Sequence, residues 1–276
     1  MPGATIPLPK ETTLTLSAET SPRAAAPSTS SRGATALATV VGNVYLLLGS
    51  TFFSILTLLV SWIPPKTVLP FAVARIWARG VLLSSGVRIA ARYDPTFDRR
   101  ASYVFLSNHA SLMDIPVVLV GCPGQVRLVA KRSLFQIPIF GWAMTAAGFV
   151  SVDRKDRSTA KETFASASDK LKRGISILMF PEGTRGPGDV LLPFQRGGFL
   201  LALRSGLPIV PVGIRGSRAV RDRENLLIHP QTVEVRFGTP LDPAAYGLRR
   251  KKELVAEVRR QIADLAGVEV GEVAEA

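Results

Sequence analysis

The chain has 276 residues, 47% of them hydrophobic, and its 34 Lys and Arg outnumber 21 Asp and Glu for a formal net charge of +13. A single cysteine, Cys122, excludes a disulfide framework and a cysteine-based metal site. The charge calls for a polyanionic partner. No helix-turn-helix, zinc-finger or RNA-binding pattern is present, so anionic lipid is expected and nucleic acid is not.

Residues 1–33 are rich in Ala, Ser, Thr and Pro and have little to bury, so they read as a disordered tail. From Gly33 to Pro65 no residue is charged, and Val40 to Trp62 is strongly apolar with Asn43 as the main polar intrusion. A run of that length is a candidate bilayer helix, beginning too far in and running too long for an ordinary cleaved signal peptide. The competing expectation is a long buried core helix. A second apolar pattern from Leu69 to Leu83, carrying Arg75 and Arg79, reads as an amphipathic interfacial helix or the second arm of a membrane-embedded hairpin. Residues 34–90 are therefore expected to anchor the chain. Lys10, Arg23 and Arg32 precede the first helix, whereas Lys66, Arg75, Arg79, Arg88, Arg92, Arg99 and Arg100 follow it. That asymmetry places the C-terminal part on the cytoplasmic face of an inner membrane.

Residues 91–276 are long enough for one packed domain. Strands are expected at 103–106, 126–130, 148–152, 175–180, 209–214 and 232–237, and helices at 112–120, 138–147, 158–173, 197–205 and 251–266. The alternation argues for an α/β fold with a mixed, largely parallel sheet flanked by helices. Glu269 to Ala276 is expected to fray.

Two stretches carry chemistry. After the first strand, Asn108-His109-Ala110-Ser111-Leu112-Met113-Asp114 sets a histidine five residues before a carboxylate. Residues five apart on a helix lie about 140° around the axis, so the pair meets only if His109 sits on the non-helical entry turn and Asp114 reaches back. The bland alternative is a surface histidine beside a helix cap at Asn108 or Ser111. After the 175–179 strand comes Phe180-Pro181-Glu182-Gly183-Thr184-Arg185-Gly186, suited to a tight loop at a sheet edge. There Arg185 can grip a phosphate bidentately, and Glu182 can position it or hold an acceptor hydroxyl. Its bland alternative is a Pro-Gly turn with an exposed salt bridge. His229 has no carboxylate or second histidine at ligand spacing and reads as a loop residue.

Taken together, the chain resembles the glycerophospholipid acyltransferases, specifically the 1-acyl-glycerol-3-phosphate (lysophosphatidate) acyltransferases. The resemblance rests on four ordered motifs: Asn108, His109 and Asp114; Gly148 to Arg154; Phe180 to Arg185; and Ile209 to Ile214. The lead-in Lys131 to Phe135 and Ile137 to Gly141 also fits, and the likeness covers roughly residues 100–220. One departure is Phe194-Gln195-Arg196-Gly197, where the family usually has two basic residues. The resemblance implies an acyltransferase domain at 91–276 with His109 as general base and Asp114 orienting it. It also implies substrate contacts from Arg154, Glu182, Gly183, Thr184, Arg185 and Arg196. The implied partners are a lysophospholipid acceptor and an acyl-CoA or acyl carrier protein thioester, with no other cofactor and no metal. Glycerol-3-phosphate, a lyso-ornithine lipid or another lysophospholipid is the alternative acceptor. The remote alternative is a non-catalytic, basic membrane-surface protein.

Overall fold

The computed structural model describes residues 31–64, 68–153, 160–221, 226–247 and 249–271. Almost all of the expected tail lies outside the described residues, and so do Arg154 and Arg223.

Helix α1 (Arg32–Val44) starts at Ser31, whose hydroxyl accepts the Ala34 N–H. It runs through a π-helical turn at Tyr45–Gly49 into α2 (Ser50–Val60). Arg32–Val60 is long and apolar enough to cross a bilayer by length and composition, and 11% of its most apolar window is buried. A core helix would be mostly covered, so that alternative fails. The polar intrusion now has a task. Asn43 Nδ2 donates to the carbonyls of Thr39 and Leu226, and the Thr39 hydroxyl accepts the Ile228 N–H. The apolar helix is thereby stitched to a loop nearly 190 residues later.

Helix α3 (Val68–Ser84) follows, with Ile76 and Leu83 exposed on one side. It packs between α2 and α4 (Asp114–Gly121), burying Phe71, Val73, Ala78, Val81 and Leu82. Arg75 points inward, donating to the carbonyls of Val120, Cys122 and Gly124 at the α4 C-terminus, where a cation is favoured. Arg79 is exposed. The N-terminal helices and the α/β part therefore share one core.

The strands are β1 (Arg88–Tyr93), β2 (Val104–Ser107), β3 (Val126–Lys131), β4 (Val150–Val152) and β5 (Ser176–Met179), then β7 (Ile209–Arg215) and β8 (Thr232–Phe237). They form one sheet in the order β1-β8-β7-β2-β5-β3-β4, parallel except where β7 meets β8. The mixed, largely parallel sheet is the one the alternation implies. Helix α6 (Phe140–Ala146) is the one expected at 138–147, preceded by an unexpected short turn, α5 (Arg132–Phe135), and α7 (Ala160–Lys172) follows β4. Helices α8 (Gly197–Ser205) and α10 (Lys251–Ala266) have the expected ends, each closed by a glycine in the left-handed region, Gly206 and Gly267. A single helical turn, α9 (Ser217–Val220), links β7 towards β8.

Three strands were not expected. β1, with sequence Arg-Ile-Ala-Ala-Arg-Tyr, is a half-exposed edge strand with a weak apolar signal, and it crosses the expected boundary at residue 90. Glu269–Val270 is not frayed but forms β9, pairing with β6 (Val190–Leu191).

Alternate strand residues supply the two faces of the sheet. Phe105, Leu178, Val210 and Val212 join α3 and α4 on one side. Val104, Leu106, Ile177 and Ile209 pack with α7, α8 and α10 on the other. Close approach of α10 requires Gly213 on β7, where an added methyl would overlap Leu265 and the Ala266 backbone. Gly213→Ala is expected to destabilise the protein by about 2–3 kcal/mol, since backbone cannot yield as a side chain does. Gly197→Ala, whose methyl meets nothing within 4 Å, should not. Thermal unfolding of both variants in detergent micelles checks the contrast.

Candidate active site

β2 and β5 are parallel neighbours, with Leu106 opposite Met179, so the segments leaving their carboxyl ends emerge side by side. Crevices of open α/β sheets form at that edge. One segment carries His109 and the other Phe180 to Arg185.

His109 lies on the non-helical turn, and Asp114 is the first residue of α4. Asp114 reaches back, and its Oδ2 lies 2.8 Å from His109 Nδ1. The same oxygen accepts the N–H groups of Ala110 at 2.7 Å and Ser111 at 2.8 Å. Asp114 is fully buried, and its Oδ1 has no partner. With Nδ1 engaged by a carboxylate, the proton-accepting lone pair of neutral His109 falls on Nε2. The imidazole stacks on Phe180, the rings 4.2 Å apart and 19° from parallel.

The two segments are latched backbone to backbone. Glu182 Oε1 accepts the His109 N–H at 2.7 Å, and the His109 carbonyl accepts the Gly186 N–H at 2.7 Å. Glu182 Oε2 accepts the Leu192 N–H. The carboxylate expected to meet substrate is thus buried and spent on two main-chain donors, where it holds the histidine's backbone. Burial pushes its carboxyl above the usual range, opposed by the bonds from Leu192 and His109. Gly183 is buried with φ of 79°, a left-handed conformation that a side chain would strain.

Asn108 is no helix cap. Its amide makes a two-bond bridge to Ile214 of β7, Nδ2 donating to the carbonyl and Oδ1 accepting the N–H. Ser111 does cap the turn: its hydroxyl accepts the Met113 N–H at 3.3 Å and donates to the Arg221 carbonyl. Sequence reasoning missed the roles of Phe180, Ser111 and Arg221. The first two stand inside the quoted motifs, and Arg221 stands with Arg215, Arg218 and Arg223 among the basic residues whose excess calls for anionic lipid.

Arg185 is half-buried beside this latch, while Thr184 and Arg196 are exposed. Among the described residues no group of three or more His, Cys, Asp and Glu is placed to hold a metal ion. His229 is an exposed loop residue whose N–H donates to Val220.

The acyltransferase family model matches residues 89–215. The 1-acyl-sn-glycerol-3-phosphate acyltransferase of Escherichia coli strain K12 is 33% identical over 176 residues, covering 63% of this chain and 71% of that protein. The enzyme of the same name from Cocos nucifera is 32% identical over 139 residues, 50% of this chain and 45% of that one. The match to such plant relatives spans about half their length or less. Among solved structures, the 1-acyl-sn-glycerophosphate (LPA) acyltransferase PlsC from Thermotoga maritima superposes with a TM-score of 0.63 at 23% identity. That superposition covers 84% of this chain and 95% of PlsC, and it shows a shared fold.

Replacing Glu182 tests the latch. Glutamine offers one carbonyl oxygen where Glu182 uses two, so Glu182→Gln strands a buried N–H and is expected to cost about 1–3 kcal/mol. Because the folded carboxyl binds its proton more tightly than the unfolded one, its contribution is fullest below the ordinary glutamate range. That contribution declines as pH rises through the raised value. The stability gap between wild type and variant should therefore narrow from about pH 4 to about pH 8. Melting curves across that range check it, and a widening gap would mean that the two N–H bonds outweigh burial.

Proposed function

The chain belongs to the 1-acyl-sn-glycerol-3-phosphate acyltransferase family, and from that premise we propose that it transfers a fatty acyl group from an acyl thioester to the sn-2 hydroxyl of lysophosphatidate, giving phosphatidate. The observation that carries this reading is the 2.8 Å contact between His109 Nδ1 and the buried Asp114 carboxylate. It leaves Nε2 as the basic nitrogen, on a ring whose side chain is 15% exposed.

In this mechanism His109 Nε2 takes the proton of the acceptor hydroxyl as its oxygen attacks the thioester carbonyl. Asp114 holds the ring and stabilises the imidazolium that forms. Collapse of the tetrahedral intermediate breaks the C–S bond, and the imidazolium returns its proton to the leaving thiolate. No covalent enzyme intermediate is needed. Arg185 holds the acceptor's phosphate and brings the hydroxyl into register, with Thr184 and Arg196 at the mouth of the site. Arg154, the other expected phosphate ligand, lies outside the described residues.

An apolar cavity supports an acyl substrate. It lies between α2, α3, α4, β3 and α6, lined by Phe53, Trp77, Leu119, Leu128, Phe140 and Phe149 among others. Ile115, the residue after Asp114, is also on its wall. Membrane association follows from the exposed Leu37, Val40, Leu47, Leu48, Phe52, Leu59 and Trp62 of the N-terminal helices and their exit turn. Exposed Trp142 on α6, which packs against α2, extends that surface. The excess of cations after the first helix argues for the cytoplasmic face.

The test is thiol release from acyl-CoA in detergent micelles with and without lysophosphatidate, repeated with an acyl carrier protein thioester. Release that requires the acceptor and falls at least ~100-fold in folded His109→Ala is expected for loss of a general base. Asp114→Asn should also lower kcat, since the amide cannot stabilise the imidazolium as the carboxylate does. Undiminished turnover by His109→Ala would end the mechanism. Turnover with another acceptor alone would end the lysophosphatidate assignment.

A further inference from the structure

β5, β2 and β7 are parallel neighbours in that order. Three segments, not two, therefore leave the same sheet edge together. The exits of β2 and β5 carry the His–Asp pair and Arg185. The exit of β7 leads through α9 to Arg221.

Arg221 is 8% exposed. Its carbonyl accepts the Ser111 hydroxyl at 2.9 Å, which ties it to the turn between His109 and Asp114. Its guanidinium Nη1 is buried without a hydrogen-bond partner. Among the described residues no carboxylate pairs with it. Its charged neighbour is instead Arg185: burial first, then that like charge, draws the Arg221 guanidinium below its ordinary range. A desolvated guanidinium with a second arginine on a nearby strand exit is unfavourable until an anion joins it.

The nearby arginines do not share this arrangement. A Cβ at Gly188 would meet the Arg218 side chain, and one at Gly267 would meet the Arg215 guanidinium. Each of those side chains is laid against a glycine. The connection that bears Arg221 resumes at Leu226, where Asn43 of α1 holds it by its carbonyl. An amphiphile whose chain lies in the bilayer would thus present its head group between the anchor and the catalytic turn.

We infer that Arg221 is a second phosphate-binding residue, forming with Arg185 a two-guanidinium cradle that selects a terminal phosphomonoester over a phosphodiester head group. The inference rests on the proposed acceptor class and adds the residue that enforces it. A phosphomonoester is a dianion with three terminal oxygens, enough for two bidentate forks. A phosphodiester is a monoanion with two free oxygens, and its second ester group would have to fit between the forks.

Equilibrium binding of lysophosphatidate and of lysophosphatidylcholine to the full chain in neutral detergent micelles tests this without turnover. Wild type should bind lysophosphatidate more tightly. Arg221→Gln should raise its Kd roughly 10- to 100-fold, the scale of lost charged hydrogen bonds. It should leave lysophosphatidylcholine binding within about twofold and so abolish the preference. Arg173→Gln, which removes an exposed positive charge 69% accessible to solvent, should change neither. If Arg221→Gln fails to fold, Arg221→Lys carries the test, because an ammonium cannot form the fork and about a threefold or larger loss is expected. Unchanged lysophosphatidate binding in the folded variant overturns the cradle, whatever the turnover assay gives. Binding that depends on Arg221 while wild type fails to acylate lysophosphatidate would instead leave the cradle standing and remove the proposed reaction.

Discussion

One carboxylate oxygen organises the site. Asp114 Oδ2 gathers the His109 ring nitrogen and the backbone N–H groups of Ala110 and Ser111, all within 2.8 Å. A fully buried carboxylate is costly unless donors surround it. Here the donors come from the very turn that must be shaped, so the charge and the loop conformation stabilise one another. The histidine is left with a single orientation and a single basic nitrogen, which is what a general base requires before substrate arrives. Glu182 repeats the device one strand away. Its two oxygens bind main chain on either side of the crevice, His109 and Leu192, and make two separate loops one rigid wall.

The sheet explains why these groups can meet at all. Parallel strands send their carboxyl ends to one edge, and β5, β2 and β7 are adjacent there. Residues at 109, 182, 185 and 221 are distant in the chain yet leave neighbouring strands. Asn108 reinforces the alignment by continuing β2 onto Ile214 with a side-chain amide in place of a backbone one. The short apolar strands have no freedom to slip, since both faces are buried and a one-residue shift would exchange the two cores.

The N-terminal helices are part of this construction rather than a tether. Ala38 of α1 and Phe71, Ala78, Val81 and Leu82 of α3 lie in the same core cluster as Phe105 and Val235. Arg75 closes the carboxyl end of α4, whose amino end supplies Asp114. Asn43 and Thr39 hold the loop at 226–228. Polar side chains in an apolar helix are expensive in lipid unless partnered, and these are partnered by the domain they anchor.

The linear chain determined what depends on local chemistry. Apolar runs bounded by breakers marked β2, β5, β7 and β8, and left-handed glycines marked the ends of α8 and α10. The charge-free stretch marked the long apolar helix, and the four ordered motifs marked the family and the loops that carry the site. Where a residue's neighbour is remote in sequence, the chain was silent. β1 is an edge strand with a faint pattern, and β9 exists only because β6 pairs with it. Arg75 looked interfacial because the α4 carbonyls it caps are 45 to 49 residues away. Glu182 looked like a substrate ligand, and Arg221 drew no reading of its own, because their surroundings are assembled by strand order. Spacing identified the residues that could do chemistry, whereas tertiary packing decided which are desolvated, which are already satisfied, and which still await a partner.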